Sequence, residues 1–138
     1  MELFQPINYW AILVCGLISL GIGALWYSPM LLGKVWVDSL DKSEEELKRD
    51  FKPIKVYSIS FVAQVTMAYI LARILSYINA TTPEEGIRIA FMIWLGFTAT
   101  TMTVNMLFEG KKFKHFLVDS GYNFIVIILY GMILGIWH

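Results

Sequence analysis

Residues 8–28 read NYWAILVCGLISLGIGALWYS, and no charged side chain occurs between Glu2 and Lys34. In a helix rising about 1.5 Å per residue, this run is long enough to cross a hydrocarbon core of about 30 Å. A stretch so long and so free of charge reads as a membrane-spanning helix. Composition extends that reading to the whole chain. Of its 138 residues, 57% are hydrophobic and 16% charged, and the mean hydropathy is +0.61, too apolar for a soluble domain of this length.

Three further spans follow. Ile54 to Ile78 forms the second, opened by Pro53, whose missing N–H is harmless in a first helical turn, and past Lys55 at its loop end its only charge is Arg73. The third runs from Pro83 to Phe108, with Thr82 as N-cap and Glu85 placed to close a capping box. The fourth runs from Phe116 to Trp137 and holds one carboxylate, Asp119. The expected architecture is all-α: one domain over residues 1–138, built as a polytopic four-transmembrane-helix bundle. The start of the chain carries only Glu2 and lacks a positive n-region, so the first span is expected to be an uncleaved anchor.

Loop charges set the expected orientation. The first loop holds Lys34, Lys42, Lys48, Arg49, Lys52 and Lys55, and the third holds Lys111, Lys112 and Lys114, nine of the 11 basic residues. Basic residues beside a span resist translocation, which places both loops in the cytoplasm and both termini outside it, in a multi-pass protein of the cell inner (cytoplasmic) membrane. Arg73 and Arg88 lie near outer helix ends, where long side chains snorkel to the headgroups. In the first loop, Ser43-Glu44-Glu45-Glu46 opens a short solvated or amphipathic helix, with Glu44/Lys48 and Glu45/Arg49 at i,i+4. Trp36, Leu40, Leu47 and Phe51 would rest it on the membrane surface.

The same composition excludes several functions. Basic and acidic residues balance at 11 each, which gives no footprint for nucleic acid. The sole cysteine, Cys15, reads as a packing residue and leaves neither a disulfide nor a CxxC motif. His115 and His138 have no cysteine partner, so no metal site is expected, and His115 reads as a headgroup contact. There is no GxSxG, HExxH or phosphate-binding loop. No cofactor is expected, and the reading leans away from an enzyme.

Polar residues inside a span are costly unless they face protein or water, so they mark the bundle interior. They gather in the cytoplasmic halves: Tyr57, Ser60 and Gln64 on the second span, Thr98, Thr101, Asn105 and Glu109 on the third, and His115, Asp119 and Asn123 on the fourth. The pattern predicts an inward-facing polar pocket in which Glu109 and Asp119, supported by Asn105, Asn123 and Gln64, bind a cation, a proton or a polar headgroup. Gly16, Ser19 and Gly23 on the first span, and Gly131 and Gly135 on the fourth, form small-residue faces for close helix packing. One such face can serve the bundle and the other self-association, so a homo-oligomer is expected.

Six short runs have a collective resemblance: Trp26-Tyr27-Ser28-Pro29, Leu32-Gly33-Lys34-x-Trp36, Met67-Ala68-Tyr69, Leu107-Phe108-Glu109-Gly110, Gly121-Tyr122 and Leu134-Gly135-Ile136-Trp137. Together they resemble the prokaryotic family catalogued as domain of unknown function 1761, over nearly the whole chain. The resemblance implies a small polytopic membrane protein of unassigned activity. It also implies that an amide often stands where this chain has Asp119, which makes Glu109 the better candidate for a required carboxylate.

The leading functional expectation is therefore an oligomeric, non-enzymatic binder or conduit for a small cation or polar solute. A structural or accessory membrane subunit, a lipid-headgroup-binding protein and a membrane enzyme acting on a lipid are the alternatives, in that order.

Overall fold

A computed structural model describes residues 6–28, 31–38, 45, 46, 49 and 52–138. They include α1 (Tyr9–Trp26), α2 (Gly33–Asp38), α3 (Pro53–Tyr77), α4 (Pro83–Glu109) and α5 (Phe113–Ile136), and no strand occurs among the described residues. Helices α1, α3, α4 and α5 are long and apolar enough to span a membrane. The chain is an all-α membrane protein.

The helix ends follow from local chemistry. The Asn8 side chain accepts a hydrogen bond from the Ala11 N–H at 3.2 Å, which opens α1. The Thr82 hydroxyl accepts from the Glu85 N–H at 3.2 Å, and Pro83 takes the first helical position of α4. Helix α3 closes on Asn79, whose φ of 57° lets Asn79 and Ala80 donate back to the Ser76 and Leu75 carbonyls at 3.1 and 2.9 Å. Gly110, at φ 69°, ends α4 in the same left-handed conformation. Helix α5 begins at Phe113, almost a turn before the apolar run suggests, because His115 is already buried in the protein. Of the expected loop helix, Leu40, Ser43, Glu44, Leu47, Lys48 and Phe51 lie outside the described residues; the short helix α2 precedes them.

Helix α5 is the centre of the bundle and touches α1, α3 and α4. Its Val126, Ile127, Tyr130 and Leu134 meet Ala11, Ile12 and Cys15 of α1, Ala68, Leu71 and Leu75 of α3, and Ala90 of α4 in one core. Lipid removes the hydrophobic drive between helices, so close van der Waals contact must hold them. It does so through small residues. A Cβ on Gly86 would overlap the Gly131 carbonyl, and one on Gly135 would overlap the Thr82 carbonyl, so α4 and α5 cross backbone to backbone. Gly16 plays a similar part between α1 and α3, where a Cβ would come within 2.7 Å of Val65. Both small-residue faces are therefore occupied within the chain.

Helix α4 is interrupted by a π-helical turn over Trp94–Ala99. At its first residue the Trp94 indole N–H donates to the Ser120 carbonyl at 3.1 Å, and its ring meets Phe124 edge-on at 4.9 Å. The wider turn accommodates about one extra residue and rotates the rest of α4 by about 100°. Before the turn α4 packs closely on α5; after it, Thr100–Glu109 buries no residue. The first turns of α3 are likewise exposed. Both features lie at the end of the bundle bearing Lys52, Lys55, Lys111, Lys112 and Lys114, called the basic end below.

Candidate functional site

At the basic end the chain leaves α1 through a tight turn. Leu31 and Gly33 donate to the Ser28 carbonyl at 3.1 and 2.9 Å, and Leu32 donates to the Trp26 carbonyl at 3.0 Å. Gly33 has no room for a side chain against the Tyr27 and Ser28 carbonyls, so the turn closes only with glycine there. The turn folds α2 back over the start of α5 and stacks Trp36 on His115, with ring centroids 6.4 Å apart.

The two rings that Trp36 meets, His115 and Tyr27, both contact Asp119. His115, one turn earlier on α5, brings Nε2 to within 2.8 Å of Asp119 Oδ2, and the Tyr27 hydroxyl donates to Oδ1 at 2.6 Å. The side chain of His115 is 9% exposed and that of Asp119 24%, so the pair is shielded without being sealed. Tyr27 sits one residue past the spanning helix. Burial, followed by the hydrogen bond to Asp119, raises its pKa and keeps the hydroxyl a donor.

Other side chains hold this group in register. The Trp26 indole N–H donates to the Val118 carbonyl at 2.9 Å, with its ring against Gly121. The Tyr122 hydroxyl donates to the Ser19 carbonyl at 2.8 Å, over Gly23, and its ring meets that of Tyr27 edge-on at 5.6 Å. Asn123 donates to the Asp119 carbonyl at 2.9 Å and reaches the Met102 sulfur of α4 at 3.7 Å. The result is a Tyr–Asp–His chain of hydrogen bonds walled by aromatic rings.

The five side chains expected to line one pocket fall in three places. Asp119 and Asn123 belong to the Tyr27–His115 cluster. Gln64 accepts from the Tyr130 hydroxyl at 3.2 Å, between α3 and α5. Glu109 pairs with Lys111 at 3.0 Å on the surface, with half of its side chain exposed, and Asn105 is exposed on α4 with no side-chain partner among the described residues. A surface depression at this end is lined by Lys52, Lys55, Val56, Ile59 and Ser60. At the opposite end a cavity of about 20 Å³, room for one water, lies beside Asn8, Ser76 and Trp137. Asp119 lines neither.

His115, Asp119 and Asn123 share one stripe at i,i+4 spacing, a pattern that by itself leaves His115 among the headgroups. The structure buries it. Tyr27 and Trp36 had no such signal beyond their membership in the quoted runs, since Tyr27 and Asp119 are 92 positions apart. Among the described residues, no three His, Cys, Asp or Glu side chains are placed to hold a metal ion.

The cluster unites runs that the sequence scatters: Trp26-Tyr27, Gly33, Trp36 and Gly121-Tyr122. The family model for a protein of unknown function (DUF1761) matches residues 10–135. No curated protein and no solved structure matches the chain. With nearly its whole length matched, this chain belongs to the DUF1761 family.

Proposed function

We propose that this protein is a non-enzymatic membrane protein that binds or conducts a small cation at its basic end, and that the cation is a proton carried by Asp119 and His115. The basic end faces the cytoplasm in this reading. The observation that carries it is the unbroken contact from Tyr27 through Asp119 to His115, with distances of 2.6 and 2.8 Å, in a chain whose helices suit a membrane. Ionisable groups inside membrane proteins commonly mark proton relays and ion pathways. A proton also fits the packing. It passes between Asp119 and His115 without a cavity, whereas a larger cation needs carboxylate oxygens that Tyr27 and His115 already occupy.

A second reading is favoured by a different observation. No buried side-chain nitrogen or oxygen lacks a partner among the described residues. A fully satisfied cluster also suits a latch that fastens α2 onto α5, as in a structural or accessory subunit.

Proton flux into liposomes containing the purified protein, read by an enclosed pH-sensitive dye, separates the two. Asp119→Asn keeps an oxygen for Tyr27 but cannot exchange a proton. Loss of flux in a folded, monodisperse variant is expected. Undiminished flux in the variant, or none above empty liposomes for the unaltered protein, would sink the proton reading, and a change in stability alone favours the latch.

A further inference from the structure

We propose that the tail of α4 and the head of α3 form the contact with a second copy of the chain, each α4 tail lying along the partner's α3 head. The inference is independent of the proton reading, because none of its residues belongs to the Tyr27–Asp119–His115 cluster.

It begins with polar groups in an apolar setting. Thr98, at the end of the π turn, and Thr101 and Asn105, beyond it, share one stripe of α4. Thr101 and Asn105 are exposed, Thr98 is half-buried, and none has a side-chain hydrogen bond to another described residue. Lipid offers no partner to an amide or hydroxyl, so a polar stripe on a membrane-spanning helix is stable only against protein or water. Helix α3 carries the complementary stripe. Ser60, two turns in, and Gln64, a turn further, are half-buried, and Gln64 uses its oxygen for Tyr130, leaving its two amide N–H groups to donate.

The two stripes match in depth. Counted from Pro53 at the start of α3 and Glu109 at the end of α4, both at the basic end, Ser60 and Thr101 lie about 10 and 12 Å inward, and Gln64 and Thr98 each about 16 Å. The charges match as well. Glu109 sits at the level of Lys52 and Lys55, neither of which has a carboxylate partner among the described residues. Its contact with Lys111 is an exposed surface pair and exchanges readily.

Those pairings favour a second copy over other occupants. A lipid tail satisfies none of the hydroxyl or amide groups. One chain carries both stripes, so a two-fold axis along the membrane normal brings α4 tail to α3 head twice, with both basic ends on one side. The small-residue faces are already used inside the chain, which leaves this polar surface for association.

The test uses the full chain with Cys15→Ala, co-expressed as two differently tagged forms, one carrying Ser60→Cys and the other Thr101→Cys. Oxidation in native membranes should give a mixed-tag disulfide dimer well above the yield obtained when Leu17→Cys, on an exposed face of α1, replaces Thr101→Cys. A yield no greater than that control overturns the proposal, including the outcome in which α3 and α4 meet only within one chain. Counting subunits by photobleaching in nanodiscs gives a second readout. Asn105→Leu should lower the dimer association constant roughly tenfold, as expected for two symmetry-related interhelical hydrogen bonds. An unchanged dimer fraction, or a monomeric unaltered protein, overturns it.

Discussion

The hydroxyl of Tyr27 lies 2.6 Å from the Oδ1 atom of Asp119, joining the end of α1 to the second turn of α5 across 92 positions of sequence. That bond is the first thing to remove. Tyr27→Phe keeps the ring contacts with Trp36 and Tyr122 but leaves one carboxylate oxygen without its donor. A hydrogen bond to a charged group contributes about 1.5–3 kcal/mol, so a loss near the lower figure is expected for a partly exposed carboxylate. Unfolding in mixed detergent micelles measures it, and an unchanged midpoint would mean that the bond is not formed in the membrane.

Glu109 provides the opposing case. Its pairing with Lys111 is an exposed contact between near neighbours, of a kind that contributes little. Glu109→Gln should therefore leave both stability and proton flux within error of the unaltered protein. A collapse of flux with this variant would move the functional carboxylate from Asp119 to Glu109.

The crossing of α4 and α5 predicts a contrast between glycines. Gly131→Ala places a methyl group against the Gly86 carbonyl, which is backbone and cannot turn aside. Overpacking of this kind costs about 1–3 kcal/mol. Gly21→Ala, on α1, meets nothing within 4 Å and should be neutral or stabilising by up to about 1 kcal/mol, through helix propensity alone. Equal effects at the two positions would contradict the packing.

Trp94→Phe tests the anchor of the π turn. It keeps an aromatic ring against Phe124 but removes the N–H that reaches the Ser120 carbonyl. A loss of about 1 kcal/mol is expected. Amide exchange should also quicken along Thr100–Glu109, the part of α4 with no buried residue of its own. If exchange quickens equally before the turn, the turn does not divide the helix.

Covering His115 is the task assigned to Trp36. Trp36→Ala should raise the rate at which an imidazole-specific reagent modifies His115, with the unaltered protein as reference. An unchanged rate would show that the stacked ring does not shield it.

Sequence by itself determined the parts of this protein that depend on local chemistry and on lipid as solvent. Four apolar runs require four helices because backbone groups in hydrocarbon must bond within their own segment. Thr82-Pro83-Glu84-Glu85 specifies a helix start because the cap, the proline and the acids act within one turn, and the structure begins α4 there. The expected spans agree with the observed helices to within about a turn. The i,i+4 spacing of His115 and Asp119 likewise puts both on one stripe, but it does not show that His115 is buried against Asp119 and not among the headgroups.

Only the tertiary structure decided how the polar residues are shared out. The single stripe expected from Thr98 to Glu109 assumed a helix of constant pitch, and the π turn at Trp94–Ala99 rotates that stripe away from α5. Nothing in the local spacing requires that turn; it accompanies the docking of Trp94 on Ser120 and Phe124, a contact between helices. The union of Tyr27 with Asp119 likewise depends on where α1 ends relative to α5. That position is fixed by Gly23 against Tyr122, Trp26 against Gly121 and the tight turn at Gly33. These are steric fits between distant segments, and they exist only once the helices have packed.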